Sequence, residues 1–430
     1  MTTPTRACSI ASLKLRQILD SRGRPTVEAD VLLNDGSLGR AAVPSGASTG
    51  KYEAHELRDG DLNHYEGQGV QRIAAAAQAE LQPRLLGAEA LDQNRIDAVL
   101  REIDGTPNLQ RLGGNPILAV SLAAARAAAI HTRQPLHRYL NGLVPGVAPS
   151  LPLPMTNILS GGAHARQGMD FQDFLVVPAG AESYSQALEW ISQVRSAATR
   201  LAVREGFTTL LADEGGLSPG YERSEQALSL LVWAIETTGL RVGEDVSIAI
   251  DVAASQLFSS NSGRYSLRGI GADLTSQQML IHVSELCRSY PISSIEDPFD
   301  QDDWEPWRQF TSAFRGERLQ IVGDDLFATN AERLGTGGRE GVASAVLIKL
   351  NQNGTLTGTL EVMECARAQG YATVVSARSG ETEDSFIADL AVATGAGQIK
   401  IGSVRNSERL SKYNQLLRIE EEGALPFRNK

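Results

Sequence analysis

Cysteine is scarce: Cys8, Cys287 and Cys365 are the three in 430 residues, an odd and scattered set with no metal-ligand spacing. That argues against a disulfide-stapled framework and suits a reducing cytoplasm. Positive charge is also short, since 40 Lys and Arg stand against 51 Asp and Glu for a formal net charge of −11. Such a balance disfavours nucleic acid or an anionic membrane as a general partner. It leaves room for a small anion, which a local cluster of Arg and Lys can still hold. No apolar run approaches the roughly 20 residues that span a bilayer, and the stretch Met1 to Cys8 lacks the apolar core of a signal peptide.

What remains is ordinary globular material, 42% hydrophobic and 21% charged. A chain of 430 residues exceeds what one compact core usually serves, so two domains are expected. Val27 to Leu33 and Ser37 to Val43 read as short strands joined at Asp35-Gly36, a hairpin signal. Ala119 to Ile130 reads as an Ala-rich helix, with Pro135 interrupting the pattern beyond it. The segment Val144 to Pro154 holds four prolines in eleven residues and cannot be helical, which makes it the expected junction. The expectation is therefore an N-terminal α+β domain over 1–143 and a second domain over 144–430.

Beyond the junction, short apolar runs end in charged residues, with helical stretches between them. Val246 to Ile250 runs into Asp251, Ile292 to Ile295 into Glu296, Leu319 to Gly323 into Asp324, and Ala345 to Ile348 into Lys349. Ala372 to Ala377 precedes Arg378, and Gln398-Ile399 precedes Lys400. From Asp251 to Lys400 the gaps are 45, 28, 25, 29 and 22 residues, mostly one strand plus one helix. Unbroken apolar runs suit buried parallel strands. Repeated units of this kind point to an α/β barrel, whose active site lies at the C-terminal strand ends; a doubly wound open sheet is the competing architecture.

Asp251, Glu296 and Asp324 would converge at one mouth if their strands are neighbours. Three buried carboxylates need a cation between them, and oxygen-only ligands select a hard ion, Mg²⁺ before Zn²⁺. Taken singly, each acid could equally cap a helix or pair with a surface lysine. Lys349, Arg378 and Lys400 supply the opposite charge, a set suited to a substrate with two anionic groups. Glu214 sits in Asp213-Glu-Gly-Gly216, a turn that can present a carboxyl into a cleft. Pro44 to Gly50 and Ser160-Gly-Gly-Ala-His164 are small-residue loops, the first fit for a lid and the second for a hinge carrying one His.

These residues resemble a known family. Pro44 to Gly50, Asp213 to Gly216, Ser294-Ile-Glu-Asp-Pro298, Val322-Gly-Asp-Asp-Leu326, Ile348-Lys-Leu-Asn-Gln352, Arg378-Ser-Gly-Glu-Thr382 and Ser407-Glu-Arg409 through Glu420 look like enolase signatures, in the family's order. The resemblance implies an N-terminal α+β cap followed by a modified (β/α)8 barrel, commonly a homodimer, and a cytoplasmic Mg²⁺-dependent hydro-lyase. Position by position it implies Asp251, Glu296 and Asp324 as ligands of a first Mg²⁺ and Ser48 as a lid serine assisting a second. It likewise implies Lys349 as general base, Glu214 as general acid, Arg378 and Ser379 as phosphate holders, Lys400 beside the substrate carboxylate, and His164 on a mobile loop. The expected reaction removes an α proton and then hydroxide from 2-phosphoglycerate or a close analogue.

Several positions depart from the family. Ala377 stands where a His is usual, and Asp173 where a Glu is usual beside Glu214, a loss of roughly 1.5 Å of reach. Ala163, Gln167, Gln256 and Ile401 replace Ser, Asn, Glu and Thr. Loss of bulk beside Arg378 with the catalytic set retained suggests a larger phosphorus substituent, as in a carboxyphosphonoenolpyruvate synthase of phosphinothricin-type antibiotic biosynthesis. A non-catalytic binding protein, using the C-terminal Lys430, is the reading from another class.

Overall fold

A computed structural model of the chain describes residues 8–46, 50–165, 169–423 and 425–427. Two compact units emerge: one takes the described residues up to Pro149 with Lys349–Glu364 and Ala377–Gly395, the other Ser150–Ile348, Cys365–Ser376 and the described residues from Ala396 on.

In the first unit, β1 (Ile10–Leu19), β2 (Pro25–Leu33) and β3 (Leu38–Ala42) form an antiparallel sheet in that order. The hairpin falls at Asp35-Gly36, where Gly36 adopts φ +90° and the Leu33 N–H donates to Ser37 O at 2.8 Å. The helix Gly114–His131 lies against β2 and β3. Gly39 permits this closeness, because a Cβ there would stand 2.0 Å from Ala123 O and 2.4 Å from Ala127 N. Pro135 immediately precedes the next helix, Leu136–Gly142, with extended backbone at φ −53°, ψ 143°. The sequence reading omitted β1, whose exposure does not alternate cleanly and whose pairing with β2 slips between Ile10 and Ser12.

The second unit is built on β4 (Leu153–Ser160), β5 (Asp173–Val177), β6 (Ser247–Asp251), β10 (Ile292–Glu296), β11 (Gln320–Gly323), β12 (Ala345–Ile348), β13 (Ala372–Ser376) and β14 (Gln398–Gly402). They close in the order β10-β11-β12-β13-β14-β4-β5-β6, so the open doubly wound alternative is excluded. The long gap after Asp251 holds a separate three-stranded sheet of β7 (Phe258–Ser259), β8 (Arg264–Leu267) and β9 (Ala272–Leu274). Leu153, Met155, Leu175, Val177, Ala249, Val322, Ala345, Leu347 and Val374 form one buried cluster, each large aliphatic side chain contributing roughly 1.5–3 kcal/mol on burial. One strand breaks the parallel pattern: β5 runs antiparallel to both β4 and β6. The fold is α/β, an N-terminal α+β sheet unit with a closed, modified eight-stranded barrel.

Candidate active site

The reversal of β5 has a direct chemical effect. In an antiparallel neighbour the first residue lies beside the partner's last, so Asp173 pairs in register with Ser160 at the end of β4 and Asp251 at the end of β6. Asp251 in turn pairs with Glu296 at the end of β10, and Asp324 follows β11 next to it. Polar side chains thus form a lateral row along the C-terminal rim of the barrel.

Within that row, Lys400 Nζ donates to Asp251 Oδ2 and to Glu296 Oε2, each at 2.7 Å. Burial opposes the charge on Lys400, and the carboxylates of Asp251 and Glu296 outweigh it, holding the ammonium well above its usual range. Lys400 lies inside β14, two residues short of its end, rather than beyond a strand as its spacing suggested. Asp324 gathers with Asp297 and Asp325, ligand atoms within 4.8 Å of one another. Asp297 accepts the backbone N–H groups of Asp324 at 2.9 Å and Asp325 at 2.6 Å. Its carboxyl is pushed well up by burial and then by the charges of Asp325, Asp324 and Glu296. Two buried carboxylates drawn onto one positive centre, with oxygen donors only, fit a hard dication.

Beside this group lies a hydrogen-bonded chain. Ser160 Oγ donates to Asp173 Oδ1 at 2.6 Å, and His164 Nδ1 lies 3.0 Å from Asp173 Oδ2. His164 Nε2 stands 3.8 Å from Glu214 Oε1, and Asn157 Nδ2 donates to Glu214 Oε2 at 3.1 Å. Burial works against charge on His164, but Asp173 and Glu214 raise the imidazole to about 9. The Glu214 turn is closed by the Gly215 N–H to Ala212 O at 2.9 Å, with Gly215 at φ +81°. Gln256 Nε2 donates to Gln172 Oε1 and Gln172 Nε2 to Asp251 Oδ2, both at 3.0 Å. An amide at 256 can donate in this way where a carboxylate could not.

In the first unit, Lys349 directly follows β12 and stands at the residue before the short helix Leu350–Asn353. Arg378 Nη1 donates to Glu53 Oε2 and to Asn351 Oδ1, both at 3.0 Å. Ser379 Oγ accepts from Arg22 Nη1 at 3.3 Å. Ser45 and Gly380 exchange backbone hydrogen bonds of 2.7 and 2.9 Å, tying the Pro44 loop to the Arg378 segment. Ala377 is buried. Ser48, Gln167 and Lys430 lie outside the described residues.

Sequence reasoning missed Asn157, Ser160, Asp297 and Glu53. Glu53 and Asn157 carry no local signal, since their partners are 325 and 57 residues away. Ser160 could have been noticed, because the hydroxyl stands only four residues before His164 in the sequence.

A closed barrel with acids gathered around an ammonium at its C-terminal rim, next to a His–carboxylate cluster, has the architecture of a barrel enzyme with its site at the strand ends. Residues 148–425 match the family described as enolase, C-terminal TIM barrel domain, and residues 10–140 match the enolase N-terminal domain. Enolases of Tropheryma whipplei, strains Twist and TW08/27, are each 51% identical over 415 residues, spanning 96% of this chain and 95% of their own. The chain belongs to the enolase family and is a carbon–oxygen hydro-lyase of that kind. These matches give no support to the carboxyphosphono reading or to the non-catalytic one.

Proposed function

We propose that this protein dehydrates 2-phosphoglycerate to an enolpyruvate product, removing the α proton and then hydroxide from the adjacent carbon. The observation that carries the reading is the pair of buried carboxylates, Asp251 and Glu296, drawn onto one ammonium at the barrel rim. Two carboxylates against one ammonium leave the rim net negative, so a dication held there would supply the positive charge that suits a substrate carboxylate gaining a second negative charge when its α proton leaves. Lys349 is the general base and acts in its neutral form. Glu214 is the general acid, delivering a proton to the departing hydroxide while Asn157 steadies its carboxyl. Arg378 and Ser379 hold the phosphate, Lys400 attends the substrate carboxylate, and His164 and Asp173 flank the acid.

Asp251, Glu296 and Asp324 would hold one Mg²⁺, and Ser48 would assist a second. Bound Mg²⁺ supplies the charge that stabilises the carboxylate dianion. In this reading residues 1–143 form the capping domain and 144–430 the catalytic barrel. The substrate is a small phosphorylated hydroxy acid, with no role for nucleic acid or membrane. The three free thiols suit work in the cytoplasm.

With Mg²⁺ present, 2-phosphoglycerate should turn over at roughly 1–10³ s⁻¹. A negligible rate alongside fast conversion of the carboxyphosphono analogue would overturn the substrate assignment. Lys349→Ala should lower kcat roughly 10²–10⁴-fold and stop exchange of the α proton with solvent deuterium; surviving exchange would remove Lys349 from the base role.

A further inference from the structure

We propose that Ser160 is a positioning residue for the acid side of this site, anchoring the shortened Asp173 so that its second oxygen meets His164, which faces Glu214. The proposal rests on the reading of Glu214 as general acid.

An aspartate brings its carboxylate closer to the backbone than a glutamate would, and anchoring one oxygen fixes where the other points. Ser160 and Asp173 are register partners on β4 and β5, so the hydroxyl is delivered by the sheet itself. Both are fully buried, and their 2.6 Å contact has the length of a charge-assisted O–H···O⁻ bond. The hydroxyl has little freedom to turn elsewhere. Ser160 N–H donates to Leu217 O at 2.8 Å, and a Cβ on Gly216 would stand 2.4 Å from Ser160 Oγ. The Asp213-Glu-Gly-Gly216 turn therefore presents Glu214 and also leaves the slot in which its distant support sits. Asp173 Oδ2 is then committed to His164 Nδ1 at 3.0 Å, directing Nε2 towards Glu214 Oε1 at 3.8 Å. The charged groups bearing on the pair are Glu214, Asp251 and Lys400.

The test compares wild type, Ser160→Ala and Ser160→Thr, with Glu214→Gln as a control. Ser160→Ala should lower kcat for 2-phosphoglycerate on the order of 10–100-fold, as loss of an outer-shell partner does. KM, thermal stability and deuterium exchange at the α carbon should stay near wild type, because Lys349 performs the exchange. Ser160→Thr, which keeps the hydroxyl, should recover most of the rate. Wild-type kcat in Ser160→Ala, or a loss matched by an equal loss of folded protein, would overturn the proposal. Glu214→Gln checks the underlying assignment: exchange without elimination upholds Glu214 as the acid, and normal turnover removes it whatever Ser160 does. A readout independent of turnover is NMR titration of the His164 imidazole. Ser160→Ala should weaken its proton affinity by about tenfold, the scale of one hydrogen bond to a charged group; an unchanged or stronger affinity sinks the positioning role.

Discussion

The Lys400 ammonium is the residue on which the buried charge balance turns. It contacts Asp251 and Glu296 at equal distances and is itself buried. Removing one member of such a group leaves uncompensated charge in a low dielectric, at about 3–5 kcal/mol. Lys400→Met should therefore lose about that much stability by urea denaturation in EDTA, and less with Mg²⁺ present, because a dication can take over the two carboxylates. An equal loss in both conditions would separate these acids from the metal. His164 makes a second residue-scale case. Its pKa rises from the ordinary 6.5 to about 9, so its charged form stabilises the fold fully below about pH 6.5. That contribution disappears as pH climbs through about 9. The stability gap between wild type and His164→Asn, followed by thermal melts, should shrink across that window.

At the scale of elements, the sheet and helix of the first unit depend on a glycine. Gly39→Ala forces a Cβ into Ala123 O and Ala127 N, both backbone atoms that cannot move without shifting the helix Gly114–His131. Overpacking of this kind costs about 1–3 kcal/mol, and a lower urea midpoint with an unchanged slope is the expected sign. The strands β2 and β3 were legible because Asp35-Gly36 marks the turn between them. In the barrel, β6, β10, β11, β12 and β13 were legible as apolar runs ending at a charge or just before one. β5 was not: Asp173 opens its apolar run instead of closing it. Nothing in five buried residues states which way the strand runs, because direction is set by the neighbours with which it hydrogen bonds.

At the scale of the whole molecule, the family resemblance implies a homodimer or a higher homo-oligomer, and sedimentation equilibrium should return twice the chain mass or a larger multiple of it; the single-chain mass would reject both. The two enolase-domain matches cover residues 10–140 and 148–425. Compactness divides the chain less simply, since Lys349–Glu364 and Ala377–Gly395 group with the N-terminal residues. Such segments are invisible to a reading that walks along the chain, because contacts distant in sequence leave no local pattern.

By itself the sequence determined the chemistry available: acidic oxygens, lysines and an arginine at the ends of apolar runs, and a glycine turn bearing Glu214. Residue types and spacing encode that directly, since a strand's length and its last residue are local properties. Only the tertiary structure decided the pairings. It set Lys400 between Asp251 and Glu296, Asp324 beside Asp297, and Ser160 against Asp173. Those choices come from barrel closure and from the reversed β5, which bring together side chains up to 149 residues apart.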